Sequence, residues 1–404
     1  MSKMIRMILN ITFIAVFIIS CKTDKANREN DFLKQANDIC KANLILDSHI
    51  DWPEKHLIFP EDISKLKNNV KFDYERAIKG GLNSVLSVAY IPSELNVIEG
   101  RLMFDSLVNL ITDYTLKYPD KFSLAKNPAE VKDKFKKGLM SFPLCLENGS
   151  PIGDSLGYLS YLKEKGIVYI TLCHMKSNQI SDANFDIDRK WNGLSPFGKQ
   201  IIKEMNKLGI MVDVSHSTDS AVFQALKISK APIIASHSSC RHFTPGFERN
   251  LSDTLIKSIT SKGGVIMLNF ASYQLDEECF QNWYYLYYIW QDSTGTDLES
   301  KKGAEFISEY VKKHKLTTDV KRLVDHVDHV VKIAGIDYVG LGSDFDGLIK
   351  QSFPNDLQDV SCYSTIVAEL LSRGYSEEDI KKILSANFLR VWGKVIDLGE
   401  LKDN

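Results

Sequence analysis

The sequence lacks four things, and each absence removes a class of protein. It carries no excess of one charge: 50 Lys and Arg stand against 52 Asp and Glu over 404 residues, a net charge of -2. No basic surplus is available to neutralise phosphates, so nucleic acid is not an expected partner. No apolar run reaches the roughly 20 residues that cross a bilayer as a helix. None of the seven cysteines forms a C-x-x-C pair, which argues against a thiolate zinc ribbon or a redox dithiol. No glycine-rich turn follows the first candidate strand, where a dinucleotide-binding sheet would place one. What remains is 44% hydrophobic and 25% charged residues, an ordinary globular balance that excludes wholesale disorder and a multi-span membrane protein. An α/β barrel with insertions accommodates this length as one unit.

The N-terminus reads as a targeting segment. Lys3 and Arg6 precede an apolar run over 7–19 broken only by Asn10 and Thr12. Such a charged start with a short apolar core is the pattern of a secretory signal. It ends in Ile18, Ile19, Ser20 and Cys21, which resembles a bacterial lipobox. The expectation is a lipoprotein signal peptide over 1–20, lipidation of Cys21, a polar tether over 21–36 and a folded unit over 37–404. The protein would then be exported, with a lipid anchor in the membrane of a bacterial cell envelope. An uncleaved N-terminal anchor is the alternative. Of the other cysteines, Cys145 and Cys173 sit in apolar runs, where free cysteines are commonly buried; any disulfide is left open.

Eight short apolar runs, at 44–46, 84–89, 144–146, 168–172, 210–214, 233–235, 265–269 and 338–342, read as strands. Their near-continuous apolar character suits a parallel sheet covered on both faces. Amphipathic stretches such as 197–208 and 320–334 lie between them. Gly166, Gly209, Gly264 and Gly335 fall just before strands, where helices commonly stop. The alternation predicts an α/β fold, a (β/α)8 TIM-like barrel. Residues 274–315 break the rhythm with a cluster of aromatics (Phe280, Trp283, Tyr284, Tyr285, Tyr287, Tyr288 and Trp290). They predict a helical insertion after the seventh strand, forming a lid or a subunit interface.

The chemistry gathers at strand ends. His49 and Asp51 follow the first run, Glu147 the third, His174 the fourth, His216 the fifth, His237 the sixth and Asp344 the eighth. The two-residue spacing of His49 and Asp51 sends both side chains to one side. In a barrel these ends converge on one mouth. Imidazoles and carboxylates together suit zinc and related divalent ions. A single histidine after a strand is more often structural, but four of the nine histidines occupy such positions, which favours a metal site. By contrast, the pairs Asp325-His326 and Asp328-His329 lie on a helix away from the mouth and read as packing and surface charge. His56, His242 and His314 receive no role.

These residues carry a resemblance. Asp47-Ser48-His49-Ile50-Asp51, Glu147-Asn148-Gly149, Cys173-His174, Ser215-His216, Ser236-His237, Arg249-Asn250 and Gly342-Ser343-Asp344-Phe345-Asp346-Gly347 together resemble the membrane, or renal, dipeptidases of the amidohydrolase superfamily. The match runs from the first strand to the end of the chain. The resemblance implies a metal-dependent dipeptidase with two zinc ions per chain. His49 and Asp51 would hold one, His216 and His237 the second, and Glu147 would bridge them. It also implies Asp344 as proton shuttle for a hydroxide bridging the metals, with Asp346 next in line. His174 would contact the substrate and its oxyanion, and Arg249 would receive the carboxylate of a dipeptide's free C-terminus. The family's substrate tyrosine falls at Tyr273 only with the register off by one. Asn148 and Ser48 stand where the family commonly has glycine, which bears on substrate shape more than on metal binding. Other readings are an amidohydrolase acting on N-acyl amino acids or β-lactams, and a non-catalytic peptide-binding envelope lipoprotein. A homodimer is one assembly open to such a chain, and dipeptide side-chain and D/L preference stay open.

Overall fold

The computed structural model describes residues 30–298 and 300–400. The expected signal peptide and Cys21 lie outside the described residues. Part of the expected tether is folded: a helix spans 30–42, and its inner face buries Ala36, Ile39 and Cys40 in the main core. Residues 30–36 therefore belong to the fold. Their polar outer face hid the apolar spacing of that helix.

Ten strands form one parallel sheet: β1 (Ile45–Ile50), β2 (Leu82–Tyr90), β3 (Phe122–Leu124), β4 (Met140–Phe142), β5 (Leu144–Glu147), β6 (Ile167–Thr171), β7 (Met211–Asp213), β8 (Ile234–Ala235), β9 (Val265–Leu268) and β10 (Val339–Leu341). Eight of them run in the order β1-β2-β5-β6-β7-β8-β9-β10, with β4 and then β3 added at β2. The two ends of this series meet without a regular ladder. One parallel bridge joins Ile50 to Phe345, with the Asp344 amide donating to the His49 carbonyl (3.0 Å) and the Asp51 amide to the Phe345 carbonyl (2.9 Å). The eight expected strands are all present. The addition is β3 and β4, the latter separated from β5 only by Pro143, which has no N–H to give a ladder but whose carbonyl accepts from the Ser87 amide at 2.9 Å.

Two packed layers hold the sheet. Alternate strand residues, including Leu46, Val88, Cys145, Tyr169, Met211, Ile234 and Met267, point inward and meet Phe388, Val391, Trp392 and Val395 of the last helix, Asn387–Glu400. That helix plugs one end of the barrel and leaves the opposite, strand-C-terminal end for side chains with chemistry. The outer layer is built from helices with clear sequence stops. Helix Pro196–Leu208 starts behind Ser195, whose hydroxyl accepts from the Gly198 amide, and ends at Gly209 in the left-handed region. Six free, buried cysteines contribute to the described core. Among the described residues no helix is long and apolar enough to cross a membrane.

The helical insertion follows β9 as expected. Helices Glu277–Tyr284 and Lys301–Tyr310 flank the π-helical turn Tyr285–Gln291. They share a small core of Trp283, Leu286, Leu298, Ile307 and Leu316; each such side chain contributes about 1.5–3 kcal/mol when fully buried.

Candidate metal centre

β1 delivers His49 to the mouth with its orientation fixed. Asp47 accepts from the His49 amide (3.0 Å) and the Ser343 amide (3.0 Å), tying the end of β1 to the segment after β10. Tyr363 donates to the same carboxylate at 2.5 Å. Burial pushes the Asp47 carboxyl up to about 6 against the pull of these donors. The Tyr169 hydroxyl donates to the Ser48 carbonyl at 2.9 Å, so its oxygen is left to accept from His49 Nδ1, also at 2.9 Å. His49 Nε2 is thereby the ring nitrogen turned to the mouth. His237 is treated alike: Ser236 Oγ donates to Asp213 (2.6 Å) and accepts from His237 Nδ1 (2.7 Å). Outer partners of this kind set the tautomer of a metal-binding histidine.

The two Nε2 atoms face one carboxylate. Glu147 Oε2 lies 3.5 Å from His49 Nε2, while Oε1 lies 3.3 Å from His237 Nε2 and 3.4 Å from His216 Nε2. Asp51 Oδ2 is 3.5 Å from His49 Nε2. Across from them, Asp344 is fixed by Asn269, whose amide donates to Oδ2 at 2.8 Å. Gly347 permits this approach, because a Cβ there would sit 2.4 Å from Asp51 Oδ2 and 2.6 Å from Asp344 Oδ1.

Four residues of the mouth hold left-handed backbone: Asn148 (φ 71°), His216 (φ 67°), Asp344 (φ 65°) and Asp346 (φ 69°). Asparagine and aspartate tolerate this region better than other side chains. That explains Asn148 in a place where glycine was expected; its side chain also donates to the Ile91 carbonyl at 2.9 Å. Ser48 is likewise accommodated, donating to the Ser236 carbonyl at 2.6 Å inside the barrel.

The electrostatics call for positive charge. Burial disfavours a charged His49, but Asp51 and Glu147 outweigh it and hold the imidazole up at about 10. Burial, with Glu147 and Asp344 nearby, keeps Asp51 well above the usual carboxylate range. Burial, with the charges of His49 and Arg249, pushes His237 down to about 4. The buried Asp51 Oδ1 and Oδ2, Glu147 Oε1 and His49 Nε2 have no hydrogen-bond partner. Ligand atoms of His49, Glu147 and His237, of Glu147, His174 and His216, and of His49, Asp51 and Asp344 each lie within 4.8 Å of one another. Imidazole nitrogens and carboxylate oxygens left unpaired in a buried cluster fit divalent cations.

A profile of the membrane dipeptidase family, peptidase family M19, matches residues 33–403. The chain belongs to that family. It is 30% identical over 383 residues to Dipeptidase verJ of Clonostachys rogersoniana, covering 91% of this chain and 88% of that protein. Its fold is similar to that of the probable dipeptidase PvdM from Pseudomonas aeruginosa, with a TM-score of 0.78 at 24% identity over 91% of this chain and 99% of the other. It is also similar to a metallo peptidase from Rhodobacter sphaeroides liganded with a phosphinate mimic of the dipeptide L-Ala-D-Ala, with a TM-score of 0.73 at 20% identity over 87% and 99%. Membership makes this protein a hydrolase, a dipeptidase of the metallopeptidase kind.

The remaining expected residues meet in the same cavity, of about 530 Å3. Arg249 turns inward, donating to Ser238 Oγ at 2.7 Å, with its other nitrogen 3.1 Å from His216 Nε2. Its neighbour Glu248 turns outward to Arg189. The His174 ring lies 4.3 Å from that of His216 and meets Tyr90 edge-on at 4.7 Å. Tyr273 lines the cavity between Phe247 and Trp283. Asp346, the reserve shuttle, is otherwise engaged: it accepts from the backbone of Lys71 (2.6 Å) and Phe72 (3.0 Å). Of the insertion's aromatics, Phe280, Trp283, Tyr284 and Tyr287 form a wall of the cavity. Tyr285 stacks instead on Tyr310, and Trp290 on Phe306. Sequence reading gave no role to Tyr169, Asn269, Phe185 and Phe247, nor to Asp213 and Ser236, which it saw only as neighbours of His216 and His237 in the motifs of the resemblance.

Proposed function

We propose that the protein hydrolyses the peptide bond of dipeptides bearing a free C-terminal carboxylate, with two zinc ions held at the barrel mouth. The observation that carries this reading is Glu147, one oxygen toward His49 and the other toward His216 and His237. Under it, His49 and Asp51 hold one ion, His216 and His237 the other, and Glu147 both. Such ions, when bound, supply Lewis acidity and lower the pKa of water toward neutrality.

The chain's own groups do the rest. Arg249 pairs with the substrate carboxylate through a planar guanidinium, which selects short substrates with a free C-terminus. Burial pushes His174 down, toward its neutral form, so one ring nitrogen keeps a hydrogen to donate to the developing oxyanion. One such donor is typically worth about 2.7–4 kcal/mol. Asp344 takes the proton of the attacking water as the C–O bond forms. It then returns that proton to the leaving amine as the C–N bond breaks.

The test uses purified protein stripped of metal and then restored with zinc, assayed on dipeptides, tripeptides, N-acyl amino acids and a β-lactam. Dipeptide hydrolysis that vanishes on stripping and returns with zinc supports the proposal. Turnover of the acyl or lactam substrates alone would replace it. Metal analysis of Glu147→Ala is expected to show loss at both positions together, and loss of one ion only would remove the bridging role. We further propose export and lipid anchoring at Cys21. Cys21→Ser is expected to move the protein to the soluble fraction or stall its processing, and unchanged membrane association would favour an uncleaved anchor.

A further inference from the structure

Six carboxylates line the cavity: Asp51, Glu54, Glu147, Asp292, Asp344 and Asp346. Four of them are accounted for. Asp51 and Glu147 stand among the metal-binding groups, Asp344 carries the proton, and Asp346 holds the backbone of Lys71 and Phe72. Asp292 is exposed, at the end of the insertion's π-helical turn. Glu54 is half-buried, and no step of the hydrolysis uses it.

A short helix fixes its place. Trp52–Ile58 starts directly after Asp51, with Pro53 and then Glu54 in its first turn. Glu54 thus stands three residues on from a metal-binding carboxylate, a spacing that makes two side chains neighbours on a helix. A glutamate in this position commonly reaches back to the amide of the capping residue. The Asp51 amide, however, donates to the Phe345 carbonyl at 2.9 Å, and Glu54 forms part of the cavity wall. Its charge bears on Asp51 and on Tyr90, at the end of β2. The next residue, Lys55, carries its ammonium over the Phe59 ring, 5.1 Å from the centroid.

Arg249 stands on the other side of the mouth. Its guanidinium touches Ser238, after β8, and His216, after β7. β7 is the fourth strand from β1 in either direction round the barrel, and the helix bearing Glu54 follows β1 directly. A dipeptide with its carboxylate at Arg249 and its peptide carbonyl at the metal-binding groups therefore directs its N-terminal residue toward Glu54. We propose that Glu54 is a substrate-binding residue that receives an ammonium group on that N-terminal residue, whether the α-ammonium or a basic side chain. The inference rests on the dipeptidase reading of the mouth. A guanidinium at one end and a carboxylate at the other match the two charges of a zwitterion, and attraction across a partly shielded cavity exceeds that in bulk water. An N-acylated amino acid with a neutral acyl group brings no cation to Glu54, so this wall favours dipeptides over such amides.

The experiment compares metal-loaded wild type and Glu54→Gln on three substrates of similar shape. These are Lys-Ala, norleucyl-Ala, which lacks the side-chain charge, and 2-hydroxyhexanoyl-Ala, which lacks the α-ammonium as well. A fall in kcat/KM of about five- to thirtyfold on both Lys-Ala and norleucyl-Ala, carried mainly by KM, assigns Glu54 to the α-ammonium. A fall confined to Lys-Ala assigns it to a basic side chain. In either case both proteins turn over 2-hydroxyhexanoyl-Ala equally. A glutamate that only complements the positive end of its helix would lower Tm on substitution and affect all three substrates alike. That result overturns the proposal, as does no loss on any of them. Wild-type protein inert on all three substrates removes the dipeptidase reading itself, whereas turnover without the split removes the role of Glu54 alone.

Discussion

Arg249 Nη2 lies 3.1 Å from His216 Nε2. A guanidinium can only donate, so that imidazole nitrogen carries a lone pair, the one a metal would take. Once His216 is engaged by a metal, Arg249 loses its acceptor and keeps only Ser238. The guanidinium is then a buried charge with a free edge facing the cavity, which is the condition for seizing a carboxylate.

Arg249→Ala should therefore lower kcat/KM for free dipeptides by about 1.5–3 kcal/mol, roughly ten- to 150-fold. Dipeptide amides, lacking the charge, should be poor substrates for the wild type and should lose little more in the variant. Equal losses on both substrate sets would indicate a folding defect and take Arg249 out of carboxylate recognition.

Asp344→Asn should keep the metal content and lose about 10²–10⁴-fold in turnover, because an amide cannot carry the proton. The substitution is close to isosteric, and Asn also tolerates the left-handed backbone found here (φ 65°). Asp346→Asn serves as contrast. It removes an anchor of the 71–72 backbone, so its effect should appear in thermal stability before kcat. Near-normal kcat in Asp344→Asn would reassign the shuttle.

His326 gives the fold an acid-sensitive joint. Burial, opposed by its bond to Leu275, pushes this imidazole down from 6.5 to about 3. Between those values the unfolded chain binds a proton that the native chain refuses. Its contribution is thus complete above pH 6.5 and drains away as pH falls toward 3, by about 1.4 kcal/mol per pH unit. Denaturant titrations of wild type and His326→Gln at pH 7 and pH 4.5 check this. The wild type should lose about 2–3 kcal/mol more than the variant over that span, and parallel losses would refute it.

The aromatic wall bears on side-chain preference. Phe247, two residues before Arg249, stacks on Phe280 with ring centroids 4.3 Å apart. An apolar surface thus adjoins the proposed carboxylate site, where the C-terminal residue's side chain would lie. Phe280→Ala should reduce kcat/KM for dipeptides ending in Phe or Leu by about 1–2 kcal/mol, with those ending in Gly nearly unaffected. Comparing the two substrate series measures it, and a uniform loss would contradict the assignment.

The strands and their terminal ligands were legible because a parallel strand buried on both faces is an apolar run, and a polar residue closing it is conspicuous. His49, Glu147, His216 and His237 stand out in this way. Tyr169 did not, since it lies within such a run and reads as core until its hydrogen bonds are seen. Phe185 and Phe247 come from loops far apart in the sequence, and only folding brings them within 5.9 Å. The pair β3 and β4 escaped notice because a serine at the centre of each, Ser123 and Ser141, interrupts the apolar run. Helix 30–42 was obscured by its charged outer face.

The joint between β1 and β10 has a temporal meaning. The backbone bonds that close it, Asp344 to His49 and Asp51 to Phe345, link two residues near the start of the fold to two near its end. A ribosome makes His49 first and Asp344 almost last. No shortened product ending before Phe345 has both edges of the seam, so none can align Asp51 with Asp344.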